Sequence, residues 1–324
     1  MNVIDLKPAV ELIRKADSIL VLGHVQPDGD SLGSTAALAT GLKSINKKVA
    51  LWSDEKVPAK YRFLPDIFQN PNIDELPGFD LVIIVDTSVV SRIGIDIPLL
   101  DYDITTLVFD HHPLINSDFD FVHVDTSQAA TGCIIFDVLK ELQIPLTREI
   151  AASIYAAIVT DTGNFTYKNT NKRTFEIAVE LIDTGIDVAD LASIIYNSLS
   201  ASTLHCLNAA LDTLEFICEG RGAFMFLSKE MLEDRNIDTE DFVNFPRSID
   251  SVEAAAMITE QPDTGIIRVS LRSKKPDIDV SKLAMQFGGG GHKCAAGAKV
   301  KETLDSFLPK FRLALENFLC KIND

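Results

Sequence analysis

The sequence predicts a doubly wound, mainly parallel α/β domain joined by a helical connector to a smaller mixed-sheet α/β domain. Near-continuous runs of Val, Ile and Leu, LVIIVD (81–86) and TLVFD (106–110), match strands buried on both faces of a parallel sheet. Helical stretches alternate with these runs, as a βα order requires. Beyond residue 213 the pattern changes to strand pairs around short turns. The expected divisions are 1–185, a helical linker over 186–213, and 214–324.

Taken in order, SILVLGH (18–24) is a first strand that ends at a polar cluster, and DSLGSTAALATGLKSI (30–45) reads as a helix rich in Ala and Leu. KVALW (48–52) is a second strand, followed by the two apolar runs and by helices over 128–142, 147–160 and 173–184. DVADLASIIYNSLSASTLHCLNAALDTL (187–214) has helical spacing and no Gly or Pro, hence the connector. EFICEGRGAFMFLS (215–228) and VEAAAMITEQPDTGIIRVSLRS (252–273) read as strand pairs, turning at Glu219-Gly220-Arg221-Gly222 and Pro262-Asp263-Thr264-Gly265. A helix over 279–287, a four-glycine loop and an amphipathic helix over 302–320 complete the chain.

Composition narrows the function classes. With 324 residues, 46% of them hydrophobic, the chain has the length and apolar content for two folded domains rather than a disordered acidic tail. No apolar run approaches the roughly 20 residues needed to span a bilayer, and MNVIDLKPAVELIRKADS has no apolar core of signal-peptide length, so a cytoplasmic protein without a membrane partner is expected. Cys133, Cys206, Cys218, Cys294 and Cys320 form no CxxC pair and read as reduced thiols. The net charge of −17 is unevenly placed, because Gly265–Lys301 carries eight Lys or Arg against two Asp. That distribution disfavours adhesion to long duplex nucleic acid, which needs many phosphate contacts, and permits a substrate with few phosphates.

In open α/β sheets, ligands bind outside the carboxyl ends of the strands. There the sequence places His24, Asp28, Asp30, Gly33 and Ser34 after the first strand, Asp86 in VDTS, and Asp110-His111-His112. A later helix delivers Asp161 in DTGNF. Taken singly, each has an ordinary explanation as a helix cap, turn residue or structural histidine. Together they concentrate like charge that cations must neutralise. Carboxylates with histidine favour manganese ahead of magnesium, cobalt or iron. Six ligands, His24, Asp28, Asp30, Asp86, His111 and Asp161, suit two ions about 3.5 to 4 Å apart that share a carboxylate, an arrangement for phosphoester hydrolysis.

These four separated motifs, in this order, resemble the DHH phosphoesterase superfamily. The resemblance implies that His24 and Asp28 hold one ion, that Asp30, His111 and Asp161 hold the other, and that Asp86 bridges. It implies that His112 faces the scissile phosphate as general acid or phosphate ligand, and that Asp110 orients a histidine.

The second domain contains Gly288-Gly289-Gly290-Gly291-His292, neither a Walker A loop nor a dinucleotide fingerprint, whose backbone N–H groups can meet an anion. In the strand over 267–272 a two-residue period puts Arg268, Ser270 and Arg272 on one face, a phosphate clamp or merely a solvated face. RVSLRS, DVSKLA and GGGGHKCAAG resemble the DHH-associated C-terminal domain, where this loop and the upstream arginine contact substrate in the cleft.

Order and length resemble the oligoribonuclease (nanoRNase) group. That implies exonuclease action on short single-stranded RNA and linear dinucleotides, with dephosphorylation of 3′-phosphoadenosine 5′-phosphate. The alternatives are a cyclic di-AMP or linear dinucleotide phosphodiesterase, an inorganic pyrophosphatase and a non-catalytic nucleotide-binding regulator. The oligomeric state, a homodimer included, is left open.

Overall fold

The computed structural model describes residues 2–320 apart from 96, 97, 115, 233–236, 238 and 263. The chain divides into two compact units, Met1–Ser198 and Leu199–Asp324.

The first unit is built on strands β1 (Asn2–Val3), β2 (Ser18–Leu22), β3 (Lys48–Trp52), β4 (Phe68–Gln69), β5 (Leu81–Val85), β6 (Thr105–Asp110) and β7 (Phe121–Val124). They form one sheet in the order β1-β7-β6-β5-β2-β3-β4, and every pair is parallel. Strands β1, β4 and β7 lie outside the sequence expectation, since two to four residues are too few to show a period.

Helices α1 (Leu6–Lys15), α2 (Gly29–Ser44), α3 (Thr131–Glu141), α4 (Arg148–Asp161), α5 (Lys172–Asp183) and α6 (Val188–Tyr196) share a core that includes the Ile19, Val21, Ile83, Leu107 and Phe109 side chains. Leu20, Leu22, Val82, Ile84 and Val108 pack instead with Leu76, Ile93, Leu99 and Phe119, from loops and short 3₁₀ turns. Both sheet faces are therefore buried, the reason these strands are apolar without alternation.

Two consequences place the site. The strand order reverses between β2 and β5, so their carboxyl ends flank the switch point where such sheets open a crevice. Helices α2 and α4 also pack closely. A Cβ built on Gly33 would lie 2.3 Å from the Ser153 carbonyl oxygen, so glycine lets α2 approach the backbone of α4.

The expected connector is two helices, α6 and α7 (Ala201–Leu211), and the division between units falls between them. The second unit holds β8 (Glu215–Ile217), β9 (Gly222–Leu227), β10 (Ala254–Glu260), β11 (Ile267–Ser273), β12 (Gly290–His292) and β13 (Ala295–Val300), with α8 (Asn244–Ser248), α9 (Val280–Met285) and α10 (Leu304–Cys320). The sheet order is β12-β13-β11-β10-β9-β8, mixed because only β9 and β10 run parallel. One core joins its strands to α9 and α10, including Phe307, Phe311 and Leu315, and another contains Leu207 and Ala210 of α7. In the turn at 262–265, Asp263 lies outside the described residues.

The glycine stretch departs from the loop expectation. Gly290–His292 is an edge strand paired antiparallel with β13, Gly291 opposite Ala296. A Cβ on Gly289 would sit 2.1 Å from the Gly297 carbonyl oxygen, and one on Gly291, at φ 137°, 2.6 Å from that of Ala295. These glycines serve close strand approach, whereas Gly288, at φ 74°, and Gly290 border open space.

Candidate functional site

At the end of β2 the chain is pinned to the segment after β5. Val25 N–H donates to the Arg92 carbonyl (2.8 Å) and Gly94 N–H to that of Gly23 (2.9 Å), framing a single bridge between His24 and Ile93. The His24 ring is buried, with Nδ1 2.9 Å from its neighbour's carbonyl, Val25 O. That contact assigns the proton to Nδ1 and turns Nε2 toward Asp86 Oδ2 (3.3 Å) and Asp28 Oδ1 (3.7 Å). Asp28 is the N-cap of α2, accepting from Asp30 N–H and Ser31 N–H.

Asp30, in the first turn of α2, is only 1% exposed. Its oxygens accept from Ser34 Oγ (2.9 Å), Thr131 N–H (2.7 Å) and Gly132 N–H (2.9 Å). The last two are the opening amides of α3, whose N-cap, Ala130, offers no side-chain acceptor. Asp30 caps that helix from another element, a placement its positive N-terminal end favours.

Asp86 follows β5 with φ 69°, a left-handed conformation costing a non-glycine residue roughly 1 kcal/mol. Its amide donates to the Phe109 carbonyl (2.8 Å), and its Oδ1 accepts from Thr131 Oγ1 (2.7 Å). Asp110, the last residue of β6, accepts from His112 N–H (3.0 Å) and His112 Nδ1 (2.7 Å). His111 directs Nε2 toward Asp30 and Asp161 (3.7 Å each) and Asp86 (3.9 Å). Asp161, the last residue of α4, receives Asn169 Nδ2 on its carbonyl (3.0 Å) and carboxylate (3.3 Å).

Among the described residues three triads result, each with ligand atoms within 4.8 Å of one another: His24, Asp28 and Asp86; Asp86, His111 and His112; Asp30, His111 and Asp161. The charges respond to this crowding. Burial, then the charge of Asp86, pushes the Asp30 carboxyl well above its usual range. Burial, with Asp28 and Asp86 against the opposing His111, raises Asp161 to about 6. At His24 burial opposes the charged form, yet Asp28 and Asp86 hold the imidazolium up to about 11, and at His111 the surrounding aspartates outweigh burial to reach about 9. Burial likewise works against ionised Asp28 and Asp110, but His24 and His112 respectively keep both below the ordinary carboxylate value. Protons thus balance charge among hard oxygen and imidazole donors, a donor set that fits divalent cations.

In the second unit, Arg268, Ser270 and Arg272 are half-buried and alternate with buried Ile267, Val269 and Leu271. On their face, Arg272 pairs across to Ala295, Ser270 to Gly297 and Arg268 to Lys299. Small residues therefore stand opposite Arg272 and Ser270, while Lys299, opposite Arg268, is an exposed cation the sequence reading did not single out. Arg272 Nη1 donates to its neighbour's carbonyl, Leu271 O (3.1 Å). The backbone of His292 lies in β12; its side chain lies outside the described residues.

Sequence reasoning also passed over Thr131 and Asn169, which carry no titratable group and stand in ordinary helix-start and loop contexts. Only their partners distinguish them.

Residues 18–158 match the DHH family, N-terminal domain, and residues 231–320 match the DHHA1 domain. The chain is 31% identical to the bifunctional oligoribonuclease and PAP phosphatase NrnA of Thermus thermophilus, over 87% of this chain and 84% of that protein. It is 32% identical to a probable enzyme of the same name from Streptococcus mutans, over 90% and 92%. Among solved structures, an exopolyphosphatase-related protein from Bacteroides fragilis superposes with TM-score 0.87 at 27% identity, covering 98% of this chain and 97% of that one.

Proposed function

The chain belongs to the DHH family of phosphoesterases, and from that premise we propose that it hydrolyses short oligoribonucleotides and linear dinucleotides to mononucleotides, and 3′-phosphoadenosine 5′-phosphate to AMP. The observation that carries this reading is the shared carboxylate: Asp86 belongs to two of the three donor triads, and His111 links it to the third. We assign His24 and Asp28 to one divalent ion, Asp30, His111 and Asp161 to a second, and Asp86 to both, with Mn²⁺ preferred over Mg²⁺, Co²⁺ or Fe²⁺. When bound, such a pair lowers the pKa of a water and neutralises phosphoryl charge.

The chain's own groups do the rest. Hydrolysis joins a water oxygen to phosphorus, breaks the P–O bond to the departing group and delivers a proton to that oxygen. His112 supplies the proton. Its Nδ1 donates to Asp110 (2.7 Å), which fixes the orientation of the ring and leaves Nε2 to hand over the proton. Arg268, Ser270, Arg272 and the segment Gly288, Gly289, Gly290, Gly291 and His292 bind an anionic end of the substrate, guanidinium groups being suited to phosphate. The two NrnA relatives, named for oligoribonuclease and PAP phosphatase activity, support this substrate class.

The test incubates the protein and Asp86→Ala with Mn²⁺ and 5′-labelled ribonucleotides of graded length, 3′-phosphoadenosine 5′-phosphate, linear and cyclic dinucleotides, and pyrophosphate. Fastest turnover of the shortest RNAs supports the reading. Preference for a cyclic dinucleotide or pyrophosphate refutes the substrate assignment, and no turnover of any refutes the enzyme reading.

A further inference from the structure

We propose that Thr131 is a positioning residue that sets Asp86 between the two ion positions and thereby ties occupancy of one to occupancy of the other; the inference rests on the two-ion reading above. Thr131 is fully buried and is the first residue of α3. Its backbone N–H donates to Asp30 Oδ2 (2.7 Å), while its hydroxyl donates to Asp86 Oδ1 (2.7 Å). One residue therefore holds an oxygen of each of two carboxylates assigned to different roles.

The hydroxyl bond matters because Asp86 is not symmetrical in its surroundings. Oδ2 lies toward His24 (3.3 Å), whereas Oδ1 lies toward His112 (3.7 Å) and His111 (3.9 Å). Rotation about the terminal torsion of an aspartate is soft, so the plane of the carboxylate must be set by what binds it. Thr131 Oγ1 fixes Oδ1, and with it the direction of Oδ2. A carboxylate oxygen retains a second lone pair after accepting one hydrogen bond, so the contact leaves Oδ1 able to bind an ion. Donors behind metal ligands typically change affinity by about 10- to 100-fold when removed.

Mn²⁺ binding to wild type, Thr131→Val, Thr131→Ala and Thr131→Ser would be measured by titration calorimetry, with electron paramagnetic resonance to separate exchange-coupled pairs from isolated Mn²⁺. Wild type should bind two ions and give the coupled signal. The Val and Ala variants keep the backbone donor to Asp30, so the first ion should bind nearly as before, the second about 10-fold more weakly or worse, with isolated Mn²⁺ appearing. Thr131→Ser, which keeps the hydroxyl, should match wild type. Wild-type pairing in the Val or Ala variant overturns the proposal. So does loss of pairing in Thr131→Ser, which would assign the effect to the methyl group. Should Thr131→Val not fold, Ala and Ser decide alone. A wild type that binds fewer than two ions would instead overturn the two-ion reading itself.

Discussion

Replacing Asp86 with Asn keeps the side chain's size and removes one charge and one ligand oxygen from the donor cluster. At about 4 Å and an effective dielectric of about 20, a unit charge pair is worth about 4 kcal/mol, so withdrawing a carboxylate from a dication should weaken binding by at least about 100-fold, or about 2.7 kcal/mol. Mn²⁺ at 100 times its dissociation constant adds about 2.7 kcal/mol to the stability of the wild type, but only about 0.4 kcal/mol to a variant bound 100-fold more weakly. For a domain the size of the first unit, 1 kcal/mol moves Tm by about 2 to 4 °C. Differential scanning calorimetry should therefore show a Mn²⁺-induced rise of about 5 to 10 °C in wild type and about 1 °C in Asp86→Asn. Asp80→Asn is the control, because that carboxylate receives the Asp17 and Ser18 amides at the opposite end of the sheet. A rise in Asp86→Asn equal to that of wild type would refute the shared-ligand reasoning.

Metal loading at pH 7 should release on the order of two protons, since His24 and His111, held up to about 11 and about 9, are charged without metal and must be neutral to coordinate it. Affinity should consequently rise with pH from 7 toward 9; calorimetric heats that do not vary between PIPES and Tris would count against this. Gly33→Ala introduces a Cβ 2.3 Å from Ser153 O and should destabilise the first unit by about 1 to 3 kcal/mol in urea titrations. Arg272→Ala should raise KM for 5′-phosphorylated dinucleotides more than for analogues with an uncharged end, and equal effects on both would remove Arg272 from the anion site. Phe311→Ala, at a fully buried position, should cost the second unit about 3 to 5 kcal/mol by denaturant unfolding.

The buried strands were legible because a strand covered on both faces must be apolar throughout, as LVIIV is. The Arg268 face was legible because period-two alternation is local, and the burial of β11 follows it residue by residue. Short strands such as β1 and β4 were not, since two residues pair only because a neighbouring strand is already in place. The glycine stretch misled for a related reason: glycine is read as loop-forming, but at Gly289 and Gly291 it permits a strand contact that any Cβ would obstruct.

The same division runs through the site. The sequence by itself determined which acids and imidazoles stand at strand and helix ends, because those residue types and boundaries are properties of short segments. Only the tertiary structure decided how they divide into triads around Asp86, since that depends on where four distant segments meet. Asp30 makes the point most directly. In sequence it stands at the start of its own helix; in the fold it caps α3 from 101 residues away, because Ala130 offers those amides no acceptor and a buried carboxylate needs donors.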